Sequence, residues 1–165
     1  MKLSYRILLI FITILVFSGC DQTIKRIAQD ELKYAEPISF LDGMVRFQYA
    51  ENPGIMLSIG SNLPEETRFI VFVVITSIAL LLFLIYITFT KNENKLYLFA
   101  YSLILSGGIG NLIDRIRNDG RVIDYIILGS DSIHTAIFNF ADVLVTSGMI
   151  LLIYTLISSK VPTHN

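Results

Sequence analysis

Two aspartates stand in apolar surroundings in which an unpaired carboxylate is costly. Asp124 is flanked by Val122, Ile123 and Tyr125, and Asp142 lies inside a largely apolar run. Two carboxylates that face each other closely do not both ionise easily, so one pKa rises and the other falls. Such a pair can hydrolyse a peptide bond: the ionised aspartate takes a proton from water, and the protonated one hydrogen-bonds the scissile carbonyl. Ion carriers and proton relays also use aspartates at membrane depth, and Asp124 as a simple turn residue remains an alternative.

Other polar residues recur at helical spacing near these aspartates. Residues three or four positions apart share one face of a helix, so each polar pair can point into the centre of one bundle. The pairs are Asn111 with Asp114, Asn139 with Asp142, and Asp21 with Lys25.

Structural roles for the same residues stay open at this point. Asp114 and the adjacent Arg115 can form an ion pair at a helix end. Asp21 and Lys25 can form an interfacial salt bridge, or Asp21 can cap the amphipathic helix that follows it. Asn139 can serve only to hydrogen-bond two helices together.

The composition indicates a membrane protein and excludes several classes of site. Of the 165 residues, 53% are hydrophobic, and the net charge of −1 gives no broad basic surface for nucleic acid. The single cysteine excludes an intrachain disulfide. His134 and His164 lie far apart, so we expect no metal site, no serine or cysteine triad and no cofactor.

The apolar residues are concentrated in four stretches. A helix that crosses the bilayer core needs about 20 apolar residues, and the stretch from Phe69 to Thr90 carries no charge. We predict one domain over residues 1–165 with four membrane spans. The predicted spans are about 5–22, 69–90, 96–114 and 137–159.

The positive charges predict the orientation of these spans. Lys2 and Arg6 stand at the head of the first apolar run, Lys91 and Lys95 separate the second span from the third, and Lys160 follows the fourth. Both termini are therefore expected in the cytoplasm. The segment of about residues 30–67 and the loop of about residues 116–133 then face outward.

The outward segment of about residues 30–67 does not have a helical pattern. It contains an alternating stretch, "MVRFQYA", and turn residues at Leu41-Asp42-Gly43 and Asn52-Pro53-Gly54. We expect a small β-rich cap there.

The first apolar run ends in "VFSGCDQ", which supports two opposite interpretations. Basic residues followed by an apolar run and small residues are typical of a signal peptide, and "FSGC" resembles the lipobox of bacterial lipoproteins. Three further spans follow Cys20, whereas a mature lipoprotein is usually a soluble domain on a lipid anchor. We therefore interpret Cys20 as a small residue near a helix end.

Five motifs, in order along nearly the whole chain, resemble those of the bacterial lipoprotein signal peptidases. This family, also called signal peptidase II, consists of aspartic peptidases of the inner membrane. The last three motifs together are highly specific, whereas the first alone would be weak. The motifs are "DQTIK", "ENPGIMLSIG", "GGIGNLIDRI", "RVIDYI" and "FNFAD".

The resemblance implies a fold and a set of site residues. The fold is an all-α membrane protein with four transmembrane helices and a small periplasmic β-rich cap. Asp124 and Asp142 match the catalytic pair. The other matched positions are Asn111, Arg115 and Asn139, which line the site and hold substrate or dyad; Asn52, which contacts substrate; Asp21 and Lys25, which place the first helix; and Asp114, which stabilises the third motif.

The resemblance also implies a reaction and partners. The reaction is hydrolysis of the peptide bond just before a diacylglyceryl-modified cysteine in a prolipoprotein. The implied partners are lipid-modified prolipoproteins, membrane lipid and the cyclic peptide inhibitor globomycin. The implied location is the bacterial inner membrane, with the active site near the periplasmic face, where water reaches it. The small residues of "SGGIGN" are expected to let a substrate helix or backbone approach closely.

One departure from the family keeps rival functions in view. Ile55-Met56-Leu57 occupies positions at which the family usually has Ala-Ala-Phe, and bulkier residues there can reshape contacts with substrate or inhibitor. This change supports the alternative of an inactive paralogue of the peptidase. The other alternative, a proton or cation carrier, would use Asp124 and Asp142 to carry the ion.

Overall fold

Four long helices dominate the computed structural model, which describes residues 2–55, 59–91 and 94–158. By length and composition each helix can cross a membrane, which confirms the predicted four-helix architecture. The helices are α1 (Leu3–Leu32), α2 (Glu65–Phe89), α3 (Lys95–Arg117) and α4 (Phe140–Ser158).

Local sequence signals account for the helix ends. Asn94 caps α3, because its side-chain oxygen accepts a hydrogen bond from the amide of Leu96 at 2.8 Å. Arg115 and Arg117 lie in the last turn of α3, where a positive charge interacts favourably with the helix dipole. Inside α2, residues Ile70–Ile75 form a π-helical segment.

Helix α1 continues well beyond the predicted end of the first span at residue 22. Asp21 is fully buried and Lys25 is 1% exposed inside α1, and they form an ion pair at 2.9 Å. Because the two charges compensate each other, the helix passes through them without a break. The alternative in which Asp21 caps a separate second helix is therefore wrong.

The cap is a three-stranded antiparallel sheet in the order β1-β2-β3. Strand β1 is Ile38–Phe40, β2 is Val45–Asn52 and β3 is Val122–Leu128. The turn expected near Leu41-Asp42-Gly43 is confirmed, and all three of its residues have positive φ. The interpretation of residues 116–133 as a loop is wrong, because this segment supplies β3, whose apolar side chains pack against α1.

Helix α3 is the centre of the bundle and packs mainly against α4 and α1. Glycines allow the close approach. A Cβ added at Gly107 would lie 2.3 Å from the carbonyl oxygen of Ala141, and one at Gly148 would lie 2.7 Å from that of Ala100. Within a bilayer the hydrophobic effect does not drive helices together, so small residues stabilise a helix interface by allowing close van der Waals contact.

At the opposite end of the bundle from the cap, Arg6 is buried within the protein with only 4% of its surface exposed. Its guanidinium donates to the carbonyl oxygens of Ile87 and Thr90 at the end of α2. The cation thus compensates the negative end of that helix.

Candidate active site

Two asparagines connect Asp124 on β3 with Asp142 on α4. The Asn139 side-chain amide donates to Asp124 Oδ1 at 2.7 Å and to Asn111 Oδ1 at 3.1 Å. The Asn111 amide donates in turn to Asp142 Oδ1 at 3.0 Å. The predicted pair of aspartates therefore belongs to one hydrogen-bonded network, although its members lie on β3, α3 and α4.

Asp124 occupies the more enclosed position of the two aspartates. It is 3% exposed, and Asn52 of β2 donates to its Oδ2 at 3.0 Å. Burial raises the pKa of Asp124 to about 6, and the charge of Asp142 adds to this rise, whereas hydrogen bonds from Asn52 and Asn139 oppose it. A carboxyl with this pKa exists in both protonation states near neutral pH, as a proton donor requires.

Asp142 is half-buried and is fixed by the start of its own helix. Its Oδ2 accepts the backbone amide of Asn139 at 3.1 Å, and its own amide donates to Asn139 Oδ1 at 3.0 Å. This reciprocal arrangement is a capping box, in which two side chains satisfy two free helix amides. The motif "FNFAD" therefore forms the first turn of α4 and orients Asp142 at the same time.

The two backbone amides between Asn139 and Asp142, in the first turn of α4, are also satisfied by side chains from elsewhere in the chain. Phe140 donates its amide to the Tyr125 hydroxyl at 3.2 Å, and Ala141 donates its amide to Asp21 Oδ1 at 2.8 Å. The first amides of a helix have no partner within the helix. These contacts tie the end of α4 that carries Asp142 to β3 and α1.

Lys25 is the buried cation that supports this network. Its ammonium group lies 2.9 Å from Asp21 Oδ2, from Asp114 Oδ2 and from Asn111 Oδ1. An ammonium group has three N–H donors, so the three contacts use all of them. Because Lys25 binds the side-chain oxygen Oδ1 of Asn111, the side-chain nitrogen Nδ2 of Asn111 faces Asp142.

Asp114 and Arg115 do not serve as partners for each other, contrary to the ion pair considered from the sequence. Asp114 binds Lys25 and accepts the amide of Ile123 at 3.1 Å, which holds the start of β3. Arg115 donates to the carbonyl oxygen of Gly54 at 2.8 Å. The two neighbours point to different parts of the structure because they are about 100° apart around a helix.

The structure brings all the predicted site residues into one region, where their catalytic or binding roles remain predictions. Asn52 belongs to it through two contacts, since its Oδ1 also accepts the amide of Gly54 at 2.9 Å. Ile55 of the second motif is exposed. Met56, Leu57 and Lys160 lie outside the described residues.

Two residues of this region did not stand out in the sequence. Gln22 donates to Asp114 Oδ1 at 2.8 Å and to the carbonyl oxygen of Gly110 at 3.1 Å. Tyr125 supplies its hydroxyl to the start of α4. Both lie inside quoted motifs, "DQTIK" and "RVIDYI", but their partners depend on the tertiary structure.

The glycines of "SGGIGN" accommodate parts of this protein rather than a substrate. Gly107 faces α4, and a Cβ at Gly110 would lie 2.5 Å from Asp21 Oδ2. The expectation that a substrate helix approaches along these positions is therefore wrong for Gly107 and Gly110, because α4 and Asp21 already fill the space beside them.

Comparisons with known proteins agree with this architecture. Residues 12–158 match the model of a family described as Signal peptidase (SPase) II. A lipoprotein signal peptidase of Borrelia duttonii (strain Ly) is 37% identical over 164 residues, which cover 94% of this chain and 93% of that protein. One of Caldicellulosiruptor bescii is 40% identical over 121 residues, 73% of each chain.

A solved bacterial membrane enzyme has a similar fold. It superposes with a TM-score of 0.77 at 27% identity, over 94% of this chain and 93% of that one. The helices, the cap and this likeness together define a multi-pass membrane enzyme. The family match and the curated relatives make the assignment specific: the chain belongs to the signal peptidase II family.

Proposed function

We propose that this chain is an intramembrane aspartic endopeptidase that cuts prolipoproteins just before a diacylglyceryl-modified cysteine. As a member of its family the protein is a peptidase that removes signal peptides from prolipoproteins. The proposal adds the aspartic mechanism, the exact bond and the lipid requirement. The observation that carries it is the link between Asp124 and Asp142 through Asn139 and Asn111.

In the proposed mechanism the two aspartates have different tasks. Asp142 is the ionised base that takes a proton from water as the water oxygen attacks the scissile carbonyl carbon. Asp124 is the protonated partner that hydrogen-bonds the carbonyl oxygen while negative charge develops on it. Asp142 then passes its proton to the leaving nitrogen, and the C–N bond breaks.

The environments of the two groups support this division. Asp124 is 3% exposed and has a raised pKa of about 6, so it holds a proton more readily than an ordinary carboxyl. Asp142 is half-buried and sits in the first turn of α4, where the helix dipole favours negative charge. Pairs of carboxyls whose environments differ in this way commonly divide acid and base roles.

The proposed site residues act around this pair. Asn52, Asn111, Arg115 and Asn139 hold substrate or dyad, and the buried set of Asp21, Lys25 and Asp114 supports them. The Asn139 amide is central, because it contacts Asp124 and Asn111 directly.

We further propose that residues 1–165 form one membrane domain with both termini in the cytoplasm, the cap in the periplasm and the site near the periplasmic face of the bacterial inner membrane. Asn52 of the cap and Asp142 of α4 then both lie near the membrane interface, where a lipidated cysteine can lie with its acyl chains in the bilayer. A globomycin-type cyclic peptide would bind in the same place and inhibit.

The test is cleavage in detergent by the purified full chain. It should release the signal peptide from a diacylglyceryl-modified prolipoprotein but not from the unlipidated precursor, and mass spectrometry should identify the cut just before the cysteine. Globomycin should block the reaction. Equal cleavage of both precursors would refute the lipid requirement. No cleavage, together with a flux through liposomes that depends on a pH gradient, would favour the carrier.

A further inference from the structure

A groove of about 900 Å³ lies beside the site, between the start of α2 and the end of α3. Two arginines line it, Arg68 from α2 and Arg115 from α3. The groove is at the same end of the bundle as Asn111 and the cap, so it opens where the two helices reach the membrane interface.

Each of the two arginines that line the groove has a buried hydrogen-bond donor without a partner among the described residues. The Nε atoms of Arg68 and Arg115 are buried and have no hydrogen-bond partner among the described residues. Arg115 as a whole is only 9% exposed. A buried donor without a partner is unfavourable, and a guanidinium matches the oxygens of a phosphate group in charge and geometry. The floor of the groove therefore suits a phosphate.

The other residues of the groove have a different chemistry. Carboxylates of Glu65, Glu66 and Asp119 also line it, and all three side chains are exposed. Since the arginines are more buried than the acids, an anion fits deep in the groove and a cation fits at its mouth. A simple anion would be attracted by the arginines but repelled by the carboxylates.

Apolar side chains complete the groove. Phe69, Ile70 and Ile116 line it, and their surfaces are 54%, 53% and 63% exposed. On helices that cross a membrane, exposed apolar side chains face the acyl chains of lipid.

We propose that this groove binds one phospholipid with a zwitterionic amine headgroup. The phosphate contacts Arg68 and Arg115, the ammonium contacts the carboxylates at the mouth, and the acyl chains follow Phe69 and Ile116. This site goes beyond peptide cleavage, because the diacylglyceryl group of the substrate carries neither phosphate nor ammonium. It would hold a resident lipid against the helix that supplies Asn111.

Native mass spectrometry of the detergent-purified full chain tests the proposal without relying on cleavage. The probes are phosphatidylethanolamine, phosphatidylglycerol, diacylglycerol and inorganic phosphate. We expect one phosphatidylethanolamine to bind saturably and more tightly than phosphatidylglycerol, and diacylglycerol to bind weakly. Tight binding of diacylglycerol would show that only apolar contacts matter and would overturn the proposal. Inorganic phosphate that binds and displaces the lipid would indicate a free-anion site and would also overturn it.

Variants locate the binding. Arg68→Gln should weaken phosphatidylethanolamine binding about tenfold, as expected for the loss of one charge-assisted hydrogen bond. Arg26→Gln is the matched control, because Arg26 is an arginine on α1 whose side chain is 84% exposed, and it should bind like the wild type. The triple change Glu65→Gln, Glu66→Gln, Asp119→Asn removes every carboxylate of the groove lining and should remove the preference for phosphatidylethanolamine over phosphatidylglycerol. If Arg68→Gln folds poorly, this preference decides the question: its persistence in the triple variant would contradict the proposal, as would unchanged binding by a folded Arg68→Gln.

Discussion

Replacing Asn52 with alanine should move the alkaline limb of the pH–rate profile to higher pH. The reason is the hydrogen bond from the Asn52 amide to Asp124 Oδ2 at 3.0 Å, which favours the ionised carboxylate and so lowers the pKa of Asp124. Without it the burial of Asp124 is opposed less, and the group keeps its proton to a higher pH. Because the proposed mechanism needs protonated Asp124, activity should persist further into the alkaline range.

The magnitude follows from the pKa of about 6. A carboxyl with that pKa is about 90% protonated at pH 5 and about 10% at pH 7. At pH values above the pKa of Asp124, kcat/KM should therefore fall about tenfold for each pH unit. A hydrogen bond to a charged group contributes about 1.5–3 kcal/mol, and about 1.4 kcal/mol corresponds to one pH unit of pKa. The limb should therefore move by about one to two pH units.

The assay is kcat/KM for a lipidated precursor peptide between pH 4.5 and 8.5, since this parameter reports the free enzyme. Gln48→Ala is the matched control, because Gln48 is an exposed amide on the same strand. Its profile should coincide with that of the wild type. A wild-type profile without an alkaline limb below pH 8, or a limb that moves to lower pH in Asn52→Ala, would refute the assignment of Asp124 as the protonated partner.

Three other changes test the support of the site. Lys25→Met should lower the free energy of unfolding by about 3–5 kcal/mol, because it leaves buried carboxylates without their cation. The yield of folded protein and its thermal unfolding in detergent measure this loss. Tyr125→Phe should fold but lose a modest part of kcat, since an amide at the start of α4 loses its acceptor at a cost of about 1 kcal/mol; an unchanged kcat would contradict this role. Gly110→Ala should lower the unfolding temperature because its Cβ would meet Asp21, whereas Gly19→Ala, with nothing within 4 Å, should not.

Much of the architecture follows from simple features of the sequence. The uncharged run from Phe69 to Thr90 predicted α2, and polar residues at helical spacing on three further apolar runs predicted a shared centre. These signals are local or periodic, and the bilayer leaves few other solutions for such a chain.

The remaining features depend on contacts between distant segments. The sequence shows Asp114 beside Arg115, but Lys25, far away in the chain, is the cation that Asp114 binds. The segment "RVIDYI" resembles a short loop until β2 pairs with it, with Ala50 opposite Asp124. The orientation of the Asn111 amide depends on Lys25, which hydrophobic periodicity does not reveal.

The most direct test of the account is cleavage by Asp124→Asn and Asp142→Asn. Both variants would be purified in detergent beside the wild type, checked for equal thermal unfolding, and incubated with a diacylglyceryl-modified prolipoprotein. The dyad predicts that each folded variant leaves the precursor intact on a gel while the wild type removes the signal peptide. A folded Asp142→Asn variant that cleaves at the wild-type rate would contradict the assignment of these two aspartates as the catalytic pair.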